Sequence, residues 1–332
     1  MLTAKENFLE TLKKDGKPDR LVNQYQPFVP IMNDPLQRYT RGNRVRGTTS
    51  IDKWGTEILF PEDAPGPMPH VTNENKVCPD ITRWKEYVKV PDLAANCSQG
   101  WEDALASAAA VDRSEKLVMG FMGTGVFEQC HFLMGFEDTL MNFLLEPEAM
   151  HELVDAVAEY RFQYAKLLVD NLKPDVILSH DDWGSKRSLF MQPDIWREFF
   201  KDHYKRIYGY MKEHGIIVIH HADSFLEPIV EDMVDIGIDV WQGVLPENDI
   251  VKLQKQLDGR MTLMGGIDAT IDRKDSTEEE IRADVRRACS TYGPGGHYIP
   301  CMTYGLAGTI YPKTDEVIAD EIDRYNKETY GV

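Results

Sequence analysis

The chain has 332 residues, 42% of them hydrophobic and 28% charged, so it can bury a large core, and α/β barrels of this length fold as one domain. Its formal net charge of -18 at pH 7 argues against a nucleic-acid or anionic-membrane surface, though not against a small basic pocket. Cys78, Cys97, Cys130, Cys289 and Cys301 are spaced too irregularly for a disulfide framework or a zinc ribbon and read as reduced thiols. With no basic-then-apolar leader pattern and no apolar run of bilayer length, the expected location is the cytoplasm.

Thr3-Ala4-Lys5-Glu6 has capping-box spacing, and Phe8, Leu9 and Leu12 follow at helical period, which predicts an opening helix. Leu21 to Phe28 reads as a first strand carrying Asn23, Tyr25 and Gln26. Residues 30–114 are rich in proline and aromatic side chains, with one clear helical stretch, Gln99 to Val111. They read as an insertion of loops and short elements over one end of the main fold, with a separate domain as the alternative. From Leu117 the pattern is regular. Apolar runs at Leu117–Met122, Val176–Leu178, Ile216–Ile219, Asp239–Trp241, Met261–Met264 and His297–Ile299 alternate with helical stretches, the longest from Pro147 to about Asn171. That alternation predicts βα units and a parallel sheet. With Leu21–Phe28 and a further strand between residues 51 and 60, the count reaches eight, which favours a closed (β/α)8 TIM barrel of residues 1–332 over an open doubly wound sheet.

In such a barrel, chemistry collects where the C-terminal ends of the strands meet. The residues there are Tyr25 and Gln26; Thr124 and Glu128; His180, Asp181 and Asp182; His221 and Asp223; Gln242; Gly265, Gly266 and Asp268; Cys301, Thr303 and Tyr304. Side chains two apart share a face of a strand, so His221 and Asp223 can act together while His220 faces the other way. His221, Asp223 and Cys301 are the most economical metal site, one nitrogen, one oxygen and one sulfur with a position left for substrate. Each also has an ordinary structural reading: Cys301 as a small core filler, Asp223 as a helix cap, His221 as a hydrogen-bonded barrel histidine.

Asp182-Trp183-Gly184, the helix from Pro193, Gly215 to Ser224, Gly237-Ile238-Asp239 and Gly265-Gly266-Ile267-Asp268 together resemble the uroporphyrinogen decarboxylase superfamily. The resemblance implies a (β/α)8 barrel and one of two chemistries: cofactor-free decarboxylation of a porphyrinogen, or zinc-dependent methyl transfer to or from a corrinoid (cobalamin) protein. The decarboxylases carry an arginine-rich motif after the first strand. Here that region reads Gln24-Tyr25-Gln26-Pro27-Phe28-Val29-Pro30, and from there no arginine follows until Arg38. A substrate with many carboxylates needs fixed guanidinium partners, so the methyltransferase branch fits better. Those enzymes hold zinc through a His-X-Cys pair and a later cysteine, matched here by His221-Ala222-Asp223 and Cys301. The aspartate in place of cysteine hardens the metal toward oxygen, which fits the methyltransferases that demethylate methoxylated aromatic compounds. Some of these are associated with a carboxylate–carboxylate–histidine set, for which Asp182, Glu198 and His220 or His221 are candidates.

The resemblance therefore implies a methyltransferase that moves a methyl group from a small methoxylated donor to the cobalt of a partner corrinoid protein. Zinc would be held by His221, Asp223 and Cys301, with Asp182 and His180 as the catalytic pair. Tyr25, Gln26, Trp54, Glu128, Trp183, Gln242 and Tyr304 would contact the donor. Transfer from the corrinoid to a thiol and a metal-free lyase are the alternatives. Arg38, Arg41, Arg44 and Arg46 are the sequence support for a lyase pocket, against a plain reading as solvated surface.

Overall fold

The structure is a computed structural model that describes residues 1–41, 45–62, 64, 66–303 and 310–332. Ten strands form among them: β1 (Phe28–Ile31), β2 (Thr48–Ile51), β3 (Glu57–Phe60), β4 (Met68–Pro69), β5 (Leu117–Met122), β6 (Val176–His180), β7 (Ile217–His221), β8 (Val240–Val244), β9 (Thr262–Ile267) and β10 (Tyr298–Met302). Seven make one sheet in the order β1-β5-β6-β7-β8-β9-β10, every pairing parallel. The order never reverses, so the crossover helices all wind onto one face, as in a barrel and unlike a doubly wound sheet.

Alternation along each strand then divides two cores. Phe28, Met119, Leu178, Ile219, Val240, Met264 and Ile299, one from each of the seven strands, meet in a single inner cluster. First and last strands thus share an interior, and the sheet is curled as in a (β/α) barrel, with seven strands in place of the eight expected and no pairing of β1 with β10 among the described residues. The outward-facing set packs against the helices, above all Pro147–Leu172, which turns Leu153, Val157, Ala165 and Leu168 to the sheet. The opening helix Ala4–Leu12 has the expected capping box between Thr3 and Glu6. Its Phe8 meets Phe28 edge-on at 4.8 Å, and its Thr11 carbonyl takes a hydrogen bond from His297, just ahead of β10. It therefore plugs the N-terminal end of the barrel, leaving the C-terminal end open for chemistry. Among the described residues no helix is long and apolar enough to cross a membrane.

Two expected strands fall elsewhere. Leu21–Phe28 does not run as a strand: Gln24 takes φ +46, residues 24–27 turn, and pairing with β5 begins only at Phe28. Tyr25 and Gln26 consequently precede β1 instead of ending a strand. The strand expected between residues 51 and 60 lies outside the barrel. Asp52 Oδ1 accepts from the amides of Trp54 and Thr56, both at 2.9 Å, and Gly55 takes φ +92. This tight reversal folds β2 back on β3 in antiparallel register, Ile51 opposite Glu57, and β4 completes a separate small sheet.

Candidate metal centre and cavity at the barrel mouth

β6 and β7 end in register, His180 opposite His221, and both residues belong to the inward-facing set. Their rings lie 4.5 Å apart and nearly perpendicular. Asp182, two residues beyond His180, stays on the same face as the chain leaves β6. One ligand atom from each of His180, Asp182 and His221 falls within 4.8 Å of the others, a grouping able to hold a metal ion. His180 Nε2 lies 3.4 Å from Asp182 Oδ2 and 3.6 Å from Glu128 Oε1. Two donors at about 2.0–2.1 Å from one zinc and at the tetrahedral angle keep roughly this separation. Two imidazoles and a carboxylate with an open position also match a catalytic zinc donor set. Gln242 Oε1 bonds His221 Nδ1, and its amide nitrogen donates to the Met302 carbonyl at 3.3 Å. That assignment leaves His221 Nε2 as the free lone pair.

The donor set expected from sequence, His221 with Asp223 and Cys301, is not the one brought together. Gln242 stands between His221 and β10, and the Cys301 thiol turns into the barrel interior beside Gln242 and Tyr25. Burial pushes that thiol up and keeps it protonated. Asp223 instead gives its backbone N–H to Asp182 Oδ1 at 3.0 Å, so it fixes the orientation of that carboxylate. His220 faces outward, as alternation requires. It is stacked on Trp183 at 4.1 Å and bonded to Tyr208. Glu198 lies apart from the cluster, on an exposed helix turn paired with His151.

The candidate contact residues divide likewise. Trp54 and Glu128 line a cavity at the mouth, whereas Trp183 is fully buried among Trp196, Tyr204 and His220 and offers no face to a ligand. Gln26 is exposed ahead of β1, where its carbonyl takes the Lys116 ammonium, and Tyr25 packs in the interior. Tyr304 lies outside the described residues.

Charge in the cluster is uneven. Burial opposes a proton on His180, but Glu128, Asp182 and Asp181 outweigh it and raise its pKa to about 10. Burial also works against the Asp182 anion, yet the His180 bond overcomes it and lowers that carboxyl to about 2. Burial, then the neighbouring His180, holds His221 down at about 4. Burial chiefly, opposed by His180, lifts Glu128 to about 8. The place between these side chains favours a positive charge, and in the metal-free protein a proton on His180 supplies it. Beneath them Asp181 accepts from the amides of Phe127 and Glu128 at 3.0 and 2.9 Å, from Trp183 Nε1 at 2.8 Å and from the Tyr204 hydroxyl at 2.5 Å. It thereby ties the helix Val126–Met134, and Glu128 upon it, to the end of β6. A Cβ at Gly125 would meet Asp181 at 2.1 Å, so this approach requires glycine.

The cavity beside His180 and Glu128 holds about 280 Å³. Its walls are aromatic (Trp54, Phe121, Phe132, Tyr160, Tyr164), with Ile58 and Met68 from the small sheet, and Arg41 and Arg161 reach into it. Sequence reading passed over Arg161, although a signal existed. It sits in the buried stripe Val154, Val157, Ala158, Ala165, Leu168 of its helix, where a charged side chain is out of place.

A family model described as uroporphyrinogen decarboxylase (URO-D) matches residues 48–325. The uroporphyrinogen decarboxylase of Bordetella petrii is 24% identical over 288 residues, covering 81% of this chain and 74% of that protein. That of Cupriavidus metallidurans is 23% identical over 317 residues, covering 89% and 80%. Among solved structures, a methyltransferase from Methanosarcina mazei superposes with a TM-score of 0.68 at 17% identity, over 98% of this chain and 99% of that one, a likeness of fold. With the match running through the barrel and the mouth residues alike, the chain belongs to the uroporphyrinogen decarboxylase family.

Proposed function

We propose that the chain is a zinc-dependent methyltransferase of the cytoplasm that takes a methyl group from a small methoxylated aromatic donor and delivers it to the cobalt of a partner corrinoid protein. The observation that carries this reading is the convergence of His180, Asp182 and His221 at the mouth, beside an aromatic-walled cavity. The likeness to a fold that serves a methyltransferase agrees with it. When the methyl group departs, its electron pair stays on the ether oxygen, and an aryloxide leaves poorly unless that charge is met. His180, Asp182 and His221 would hold a zinc ion, which would supply the Lewis acidity for this. The protein's own groups do the rest. Trp54, Phe121 and Tyr160 offer ring faces and edges to an arene and exclude water. Gln242 keeps His221 in one tautomer, and Asp181 fixes the helix that carries Glu128 against the mouth. Metal analysis of the purified protein, followed by transfer from a panel of methoxyarenes to cob(I)alamin, tests the reading. We expect about one zinc per chain, and a loss of both metal and transfer, roughly 100-fold or more in rate, in His180→Ala and in His221→Ala. Full activity in metal-stripped protein would sink it.

A second reading, a metal-free lyase acting on a carboxylated substrate, is favoured by Arg41 and Arg161 in the cavity and by the decarboxylase names of the relatives. It predicts chelator-insensitive release of carbon dioxide. Transfer from methylcobalamin to a thiol would identify instead a corrinoid-to-thiol methyltransferase.

A further inference from the structure

Of the four clustered arginines, Arg38 pairs with Asp103 and bonds the Gly100 carbonyl, and Arg46 bonds the carbonyls of Glu62 and Ala64 and lies over the Phe60 ring. Arg44 lies outside the described residues. Arg41 alone of those described turns to the cavity, where Arg161 joins it from the helix Pro147–Leu172. A short network sets them on one wall. Arg41 Nη1 donates to Gln37 Oε1 at 3.0 Å, and Gln37 Nε2 donates to the Tyr164 hydroxyl at 2.9 Å. The Arg161 guanidinium lies 4.8 Å from the Tyr164 ring centroid, that of Arg41 5.1 Å from the Phe121 ring centroid. Arg161 gives Nη2 to the Gly123 carbonyl at 2.6 Å, while its Nε is buried with no acceptor among the described residues.

Neither guanidinium makes an ion pair with a carboxylate among the described residues. Arg161 is only 4% exposed, and buried charges are as a rule paired, because an unpaired one forfeits its hydration without a compensating partner. Besides the Tyr164 hydroxyl, the acidic group acting on Arg41 is Asp34, which stands beyond ion-pair distance and caps its own helix through the Gln37 amide at 3.0 Å. Like charges brought together repel, and burial already pushes Arg41 down, so the arrangement is costly unless an anion completes it. We propose that Arg41 and Arg161 form a subsite for a carboxylate carried by the ligand, making the substrate a carboxylated small arene. A planar guanidinium pair suits a carboxylate's two oxygens, and the aromatic walls suit the ring to which it is attached. A cavity of about 280 Å³ is of a size that takes a single substituted ring. The wall with the two arginines and the edge with His180 belong to the same cavity, so a carboxylate anchored on the first carries the far end of the ring toward the second.

This rests on the methyltransferase reading for what happens to the ligand, but not for whether it binds. The test is therefore a binding measurement: calorimetric titration of the purified protein with 4-methoxybenzoate and with 4-methylanisole, in which a methyl group replaces the carboxylate. The expected result is at least a tenfold preference for the carboxylate. That preference should vanish in Arg41→Gln and in Arg161→Gln and persist in part in Arg41→Lys. Equal affinity for the two compounds in the wild-type protein overturns the subsite, whether or not the variants fold. So does a carboxylate preference that survives both glutamine variants, which would place the anion elsewhere in the mouth. An arginine-dependent preference without any methyl transfer to cob(I)alamin would uphold the subsite and sink the methyltransferase reading. Brisk demethylation of 4-methylanisole at equal affinity would do the reverse.

Discussion

At the scale of single residues, the site depends on which way each histidine faces. His220 and His221 are neighbours in sequence, yet one is a stacked, doubly hydrogen-bonded core residue and the other ends in the cavity. Gln242 makes the difference useful, because its bond to Nδ1 decides which nitrogen of His221 is left to bind a cation. Removing such an outer partner typically costs about 10–100-fold in metal affinity. Gln242→Leu keeps the volume and loses the bond, so zinc affinity measured by chelator competition should fall by about that factor with the fold intact. Unchanged affinity would mean that Gln242 is only a core filler. Cys301 shows the opposite lesson. Its position at the end of the last strand was readable from sequence, but the Gln242 side chain that separates it from His221 was not, because Gln242 lies on a different strand and only register places it there.

At the scale of elements, what was legible followed the length and period of each run. β5 is buried along its whole length and was plain as an apolar run, as were β6 to β10 in outline. The capping box at Thr3 marked the opening helix, and the structure shows a second capping box at Thr277 ahead of the helix Glu278–Tyr292. Residues 51–60 misled because a hairpin and a barrel strand share the same apolar composition, and the deciding feature is one turn. In that turn Asp52 is pushed up to about 6, chiefly by burial, against the backbone amides that bond it. The sign follows directly. Between the ordinary carboxyl value near 4 and about 6, the folded chain holds this proton more tightly than the unfolded chain. Its contribution to stability is therefore lost as pH rises through that window, and ionised Asp52 is a cost at pH 7. Asp52→Asn can keep the acceptor oxygen and cannot ionise. It should be more stable than the wild type by roughly 1–2 kcal/mol at pH 7, with the gap closing toward pH 4, as read from urea midpoints at both values. A gap that widens on acidification would show the carboxylate to be favourable as an anion.

At the scale of the whole molecule, the barrel divides its labour between its ends. The helix Ala4–Leu12 seals the N-terminal end with Phe8, and the C-terminal end gathers His180, Asp182 and His221 from adjacent strand ends. Those ends are held in register by β6 pairing with β7 and by the Asp223 amide on Asp182. A divalent ion gripped there would link β6 to β7 through side chains as well as backbone, and the unfolded chain has no equivalent site. Binding to the folded state alone stabilises it in proportion to the logarithm of ligand concentration over Kd, about 2.7 kcal/mol at a hundredfold excess. For a domain of this size that corresponds to a rise in Tm of several degrees, roughly 4–6 °C by extension of the usual scaling. Chelator-treated protein should therefore melt lower than protein given back zinc, and the gap should disappear in His221→Ala and Asp182→Asn. It should persist in Cys301→Ser, because the Cys301 thiol lies outside the cluster. Thermal melts of these variants with and without zinc need no substrate and no partner protein, so they judge the metal centre apart from the reaction assigned to it. A zinc-dependent shift that survives the loss of both His221 and Asp182 would move the metal away from the mouth, and the aromatic cavity would then have to work without it.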